Sequence, residues 1–351
     1  MSVIVDLKGS IKYYNKHLIL PIDNDVLKEN KRASVRDNNE RSHTDLITML
    51  NISTINCILY DDFVNDMSRD TICKIKKLIE ENIQRWNTDV KKIDCLMIKK
   101  FSARVKGIDV VSRSYYKIMQ IFDTFQLKSK LCSNPCRLHL CEAPGGFISF
   151  CNQAFNSKNY FTISLIPNTK QVPNYHKSVG PKHRIMIGNN DITRFSIINA
   201  LITKYNGRFD MITGDGGILI CNHDEQEELT YRLIASELYI SMHCLRKGGV
   251  LIIKFFETFL VKSKALLQII SENFNKVYVY KPETSRCTNS EKYIVCFEFL
   301  GPKHTGDLVR LLFDKKLNCE YSKGVGKNIN IANNLLANLQ GKSILSTLNR
   351  I

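Results

Sequence analysis

Leu138-His-Leu-Cys-Glu-Ala-Pro-Gly-Gly-Phe147 is the stretch that decides the fold. Leu138 to Cys141 reads as a strand, two adjacent glycines make the turn, and an apolar segment through Phe150 to Ala154 continues as a helix. Glycines there remove side chains, so the backbone can approach a ligand and its amides can point at a carboxylate or phosphate. A tight strand-to-helix connection with no ligand has the same composition, and the stretch alone does not separate the two readings.

Outward from this turn, strand-like and helix-like segments alternate from about residue 104 onward. Apolar β-rich runs stand at Arg137 to Cys141, Tyr160 to Leu165, Arg184 to Ile187, Phe209 to Thr213, Val250 to Phe255, Lys276 to Tyr280 and Tyr293 to Phe299. The clearest helix spans Glu225 to Leu245, where Leu229, Leu233, Ile234, Leu238, Met242 and Leu245 share one face. Arg246-Lys-Gly-Gly249 follows, with cations against the helix dipole and glycine in the capping position. This alternation predicts an α/β fold with a mostly parallel sheet covered by helices on both faces. Ligands in such sheets bind beyond the carboxyl ends of the strands.

Four polar residues, Lys117, Asp215, Lys254 and Glu291, stand at the edges of apolar segments at that end. Taken singly, each reads as a snorkelling lysine or a capping acid. Asn189-Asn-Asp191-Ile192-Thr193 ends a later strand-like run. Asp191 there either accepts from an adenine amino group while Ile192 packs on its ring, or caps the helix beginning near Arg194, or does both. A dinucleotide fold would end its second strand with an acid to hold the ribose hydroxyls; here Ser164-Leu165 stands in that place and disfavours a nicotinamide cofactor.

The formal charge is +16 over 351 residues, which points to a polyanionic partner or to a merely solvated basic surface. Twelve cysteines follow no regular framework, and Cys141, Cys244 and Cys296 lie inside apolar segments, as expected of reduced thiols in an intracellular protein, cytoplasmic or nuclear. Neither Cys132, Cys136 and Cys141 nor Cys221 with His223 has the paired spacing of a zinc site, so no metal is expected. No apolar run long enough for a membrane span occurs.

Before residue 100 the chain carries a charged stretch, Lys28 to Ser42, that reads as a mobile loop. A basic amphipathic helix comes next, with Ile72, Ile75, Leu78, Ile79 and Ile83 at helical spacing and Trp86 near its end. After residue 300, Lys303, Arg310, Lys315, Lys316, Lys323 and Lys327 are interleaved with leucines and precede a leucine-rich segment from Ile331 to Ile351, which reads as a helical extension. Three regions result: an N-terminal extension over 1–100, an α/β domain over 101–300 and a basic helical extension over 301–351.

Five motifs then resemble, in order and spacing, the FtsJ-type ribose 2′-O-methyltransferases, most closely the branch of cellular and large-virus enzymes that modify messenger RNA caps. Ser112-Arg-Ser-Tyr-Tyr-Lys117 resembles the family's lysine helix and Cys141-Glu-Ala-Pro-Gly-Gly-Phe147 its first S-adenosylmethionine motif. Asp210-Met-Ile-Thr-Gly-Asp215 resembles its aspartate strand, Gly248 to Lys254 its second lysine strand, and Lys281 to Val295 its last motif. The resemblance covers about 110 to 300 and implies a Rossmann-like methyltransferase fold with a seven-stranded sheet. It implies S-adenosylmethionine as cofactor, held by Cys141, Ala143, Gly145, Gly146, Phe147, Leu165, Asp191, Ile192 and Asp215. It also implies capped mRNA as substrate, with Lys117, Asp215, Lys254 and Glu291 as a tetrad in which Lys254 is the base. Two departures from the wider family are His139, where many members have an acid, and the missing acid after the second strand.

A ribose hydroxyl is a poor nucleophile near neutral pH, so a base must meet it. Burial and the Lys117 cation lower the pKa of Lys254, whereas Asp215 and Glu291 raise it, and the sequence leaves the balance open. Ser285, Arg286, Asn289 and Ser290 either contact RNA or brace the loop before Glu291. Tyr115, Tyr116, Tyr231 and Phe256 are candidates for stacking on a cap guanine. The same chemistry on ribosomal or transfer RNA, or a silent RNA-binding subunit working with other capping or transcription proteins, are the competing readings.

Overall fold

The structure is a computed structural model that describes residues 3–8, 12–15, 18–21, 69–105, 107–169, 172–218, 225–313 and 323–349. The stretch Lys28 to Ser42, and Cys221, His223, Lys315 and Lys316, lie outside the described residues. Strand β1 (Val3–Asp6) is followed by a hairpin of β2 (Lys12–Asn15) and β3 (Leu18–Pro21), then by helices α1 (Arg69–Glu81) and α2 (Ile83–Ser102). Next come α3 (Ser114–Phe125), the short α4 (Leu127–Lys130), β4 (Arg137–Leu140), α5 (Gly146–Ala154) and β5 (Tyr160–Ile163). The chain continues with α6 (Phe195–Tyr205), β6 (Phe209–Gly214), α7 (Gln226–Cys244), β7 (Leu245–Phe255) and α8 (Val261–Asn273). It closes with β8 (Phe274–Lys281), β9 (Lys292–Phe299), α9 (Thr305–Phe313) and α10 (Lys323–Asn349).

One seven-stranded sheet runs in the order β1-β8-β9-β7-β6-β4-β5. β5, β4, β6 and β7 are parallel neighbours, while β9, β8 and β1 are joined by antiparallel pairings, so the sheet is mixed. Period-two alternation divides its core residues between two faces. Ile212, Leu251, Ile253, Ile294 and Cys296 pack beneath α6, α7 and α8, and Met211, Val250, Ile252, Val295 and Phe297 pack beneath α3 and α5. Lys254 continues the parity of Val250 and Ile252, which sets it on the α3 side at the carboxyl end of β7.

Several expectations are corrected. Arg184 to Ile187 is not a strand: only Arg184 makes a bridge, to Thr162, and the seventh strand is β1, which pairs with β8 at the opposite edge. Gly248 and Gly249 do not cap α7. The helix ends at Cys244, Leu245 is already extended and pairs with Phe209, and Arg246 to Gly249 bulge opposite Asp210, with Gly248 at φ +80°. Arg246 holds the bulge by donating to the Arg208 carbonyl and pairing with Asp210 at 2.9 Å. The amphipathic helix breaks at Asn82, so Trp86 belongs to α2; Leu78, Ile83 and, in α7, Leu229 are exposed rather than core, while Lys76 is buried. Among the described residues no helix is long and apolar enough to cross a membrane.

Candidate active site

Two parallel strands, one antiparallel strand and one helix bring the four polar residues to one edge of the sheet. Asp215 comes directly after β6, Lys254 is the penultimate residue of β7, and Glu291 immediately precedes β9, whose antiparallel run starts at the edge where β6 and β7 end. Lys117 reaches the same edge from the first turn of α3. Lys117 Nζ lies 2.7 Å from Glu291 Oε1 and 2.8 Å from Oε2, a two-oxygen grip. Lys254 Nζ donates to the Asp215 carbonyl at 2.7 Å and lies 3.3 Å from Asp215 Oδ1. The structure thus joins Lys117 to Glu291 and Lys254 to Asp215.

The balance that sequence left open now has a direction. Burial lowers the Lys254 pKa, but Asp215 and Glu291 outweigh it and the ammonium is held above its ordinary range. Burial pushes the Glu291 carboxyl up, and Lys117 and Lys254 overcome that push and hold it well below the usual carboxylate range. In the free protein Lys254 is therefore held as an ammonium and Glu291 as a carboxylate.

Three supporting residues complete the site, of which the sequence singled out only Ser285. Tyr293, paired across the strands with Lys254, donates its hydroxyl to Asp215 Oδ1 at 2.8 Å. Ser285 donates to Glu291 Oε1 at 2.8 Å. Lys281, buried at the end of β8, donates to the Asn289 carbonyl at 2.8 Å, to Asn289 Oδ1 at 3.1 Å and to the Glu291 carbonyl at 2.7 Å. The available signal for Tyr293 was its position two residues beyond Glu291, on the same side of a strand. Lys281 was visible only as the first residue of the last motif.

Beneath the Asp215 turn lies Glu237 of α7. A Cβ on Gly214 would stand 2.9 Å from its Oε2 and one on Gly216 2.5 Å from its Oε1, so a side chain at either position would displace the Glu237 carboxylate. Burial pushes the Glu237 carboxyl up to about 8 despite Lys254. His139 Nδ1 lies 2.7 Å from Thr213 Oγ1, and Thr213 donates to Glu142 Oε1 at 2.8 Å, so the histidine at the departure from the wider family sits in a buried polar chain.

The glycine turn fits a cofactor cradle. Gly145, at φ +113°, precedes α5 and gives it no side-chain cap, so first-turn amides are left without a side-chain acceptor. A Cβ on Gly146 would come 2.1 Å from Ser114 Oγ, so α3 and α5 meet closely only through this glycine. Cys141 and Ala143 line the same turn, and Ala143 N donates to Ser164 Oγ at 3.1 Å. The Phe147 and Ile192 side chains are in the core, which leaves only their backbones for a ligand, whereas Leu165 is exposed. Asp191 accepts from Thr193 N and Oγ1 at 3.1 and 2.6 Å and does not cap α6, whose N-cap is Arg194.

The residues expected near RNA have partners inside the protein. Asn289 accepts from Lys281, and Ser290 donates to Gln226 Oε1 at 3.0 Å; Arg286 is half-buried in the same loop. Tyr115, Tyr116, Tyr231 and Phe256 are all buried, so none of the four offers an open ring to a guanine. The Phe256 ring instead lies 5.6 Å from Lys254 Nζ.

Residues 110–299 match the FtsJ-like methyltransferase family, more than half of the 351-residue chain. The chain belongs to this family. FtsJ-like methyltransferases use S-adenosylmethionine. Among curated relatives of this FtsJ-like chain is the Drosophila melanogaster cap-specific mRNA (nucleoside-2′-O-)-methyltransferase 2, 27% identical over 265 residues, covering 68% of this chain and 37% of the relative. The cap-specific mRNA (nucleoside-2′-O-)-methyltransferase of Autographa californica nuclear polyhedrosis virus is 27% identical over 208 residues, covering 57% of this chain and 77% of the relative. That of Trypanosoma cruzi, numbered 1, is 37% identical over 119 residues, 32% of each chain. The matches thus span little more than a third of the insect relative and about three quarters of the viral one.

Proposed function

We propose that this FtsJ-like chain transfers a methyl group from S-adenosylmethionine to a ribose 2′-OH of capped mRNA. The observation that carries the reading is the pair of ion pairs, Lys117 with Glu291 and Lys254 with Asp215, at the carboxyl end of the sheet beside the glycine turn. S-adenosylmethionine, when bound, supplies an electrophilic methyl group on a sulfonium cation. The Gly145 to Phe147 amides would hold its carboxylate, and Leu165, Asp191 and Ile192 would border its nucleoside.

Lys254 is the residue to receive the 2′-hydroxyl proton. As an ammonium in the free protein it cannot do so, and a second positive charge brought close to Nζ lowers its pKa again. Lys254 therefore becomes a base only in the loaded site, which ties proton removal to the presence of the methyl donor. Asp215, steadied by Tyr293, keeps Nζ aimed. Glu291 holds Lys117, whose cation stabilises the developing alkoxide. Arg286 would meet an RNA phosphate beside this pair. The cap-specific names of the insect, viral and trypanosome relatives support the substrate.

The test is transfer of labelled methyl groups to a short transcript, capped and uncapped. Lys254→Ala is expected to lose transfer by roughly 100- to 10,000-fold, the range of a general base, while keeping cofactor binding. Undiminished transfer in that variant overturns the reading, and equal transfer to uncapped RNA redirects it to ribosomal or transfer RNA.

A further inference from the structure

A second buried charge cluster lies directly behind the first and is built partly from helices outside the family span. Lys76 of α1 donates to Glu257 Oε1, with only 5% and 8% of the two side chains exposed. Glu257 lies three residues beyond Lys254, in the segment that leaves β7. Lys292, the neighbour of Glu291, donates to the Phe256 carbonyl and faces the charges of Glu257 and Glu227. Burial pushes the Lys292 ammonium down to about 8, with those glutamates opposing the shift, so its charge depends on them.

α10 grips the same two segments. Asn333 donates to the Thr258 carbonyl at 2.7 Å and accepts from the Thr258 hydroxyl, and Gln340 donates to the Thr288 carbonyl at 3.2 Å. Phe259 packs into the small core formed by Ile75 and Ile79 of α1 with Ala337 and Ile344 of α10. Lys254 is paired in the ladder with Tyr293, one residue before β7 ends, and Glu291 stands just before β9 begins, so the sheet fixes neither the segment after Phe255 nor the loop before Lys292. The segment leaving β7 after Lys254 and the loop leading into Glu291 are held from outside the sheet, by α1 and α10.

We propose that α1 and α10 form a positioning brace for the reaction centre, in which Lys76, through Glu257 and Lys292, holds the segment after Phe255 and the loop before Lys292 in place beside Lys254 and Glu291. Residues beyond the FtsJ-like span then set turnover rather than cofactor affinity. Lys76, Glu257 and Lys292 are positioning residues; none lies in either ion pair of the site. The consequence for catalysis rests on the proposed methyl transfer, and the brace itself does not.

Lys76→Met keeps the aliphatic stem and removes the charge, leaving Glu257 buried without its partner. Amide hydrogen exchange in the full chain is expected to speed up at 255–260 and 288–292 in this variant, with the β4–β6 core unchanged. In the methyl-transfer assay kcat is expected to fall about tenfold to a hundredfold, the scale of a small misplacement of reacting groups, while the Kd for S-adenosylmethionine stays within about twofold. Lys76→Arg should restore most of kcat, and Lys76→Met with Glu257→Gln should recover part of it by removing the stranded charge. Unchanged exchange at both segments overturns the brace whatever the activity. A kcat equal to that of an active wild type, or a uniform rise in exchange over the whole sheet, overturns it as well. A wild type that transfers no methyl group removes the proposed function instead, and the exchange measurement still decides the brace.

Discussion

Tyr293 and Glu237 show how a side chain governs this site without carrying its charge. Tyr293→Phe keeps the ring and removes only the donor to Asp215 Oδ1. A hydrogen bond to a charged group contributes ~1.5–3 kcal/mol, so kcat should fall roughly tenfold to a hundredfold with cofactor binding retained, measured by steady-state methyl transfer. Glu237 affects stability. Its ordinary value is 4.5 and burial raises it to about 8 in the folded protein, so between those two values the folded state binds a proton that the unfolded state has released. Its contribution therefore falls as pH rises through that window, and the cost is complete above about 8. Glu237→Gln removes this slope. Thermal melts from pH 5 to pH 9 should show the variant gaining on the wild type as pH rises, and parallel curves would remove Glu237 from the account.

At the scale of elements, α3 and α5 pack closely at Gly146. Ser112 and Ser114 hydroxyls stand 2.7 Å apart over the start of α5, and a Cβ on Gly146 would meet Ser114 Oγ at 2.1 Å, Ser112 Oγ at 2.4 Å and the Tyr115 backbone nitrogen at 2.8 Å. The side chains can rotate, but the backbone cannot move without shifting α3. Gly146→Ala should therefore push α3 from α5, weakening S-adenosylmethionine binding at least tenfold by calorimetry and lengthening the Lys117–Glu291 contact. The pairing of β1 with β8 is a second element-scale feature. No local pattern in Val3 to Leu7 distinguishes a sheet strand from a short apolar run; its place is decided by the open edge of β8. By the same logic Arg184 to Ile187, apolar enough for a strand, makes one bridge and no ladder.

For the whole molecule, the FtsJ-like span does not close its own core. Ile329, Ala332 and Leu336 of α10, Leu308 and Leu312 of α9, and Val5 and Leu7 at the N-terminus belong to the same core cluster as Leu138, Ile212 and Ile253. A chain cut to 101–300 would bare that apolar surface and the β8 edge, and it is expected to aggregate or melt well below the full chain in a light-scattering and thermal-unfolding comparison. What the sequence by itself determined was the alternating α/β order, the glycine turn and the four residues of the candidate site, because each is written in local periodicity, in a glycine turn or in a motif of fixed spacing. Tertiary structure alone decided the seventh strand, the donor from Tyr293 and the Lys281 clamp. It alone decided the direction of the Lys254 pKa and the reach of α1 and α10 to the segments beside the candidate site. Those depend on which groups meet across long separations in the chain, and on how far burial and neighbouring charges offset one another, quantities that exist only once the chain has closed on itself.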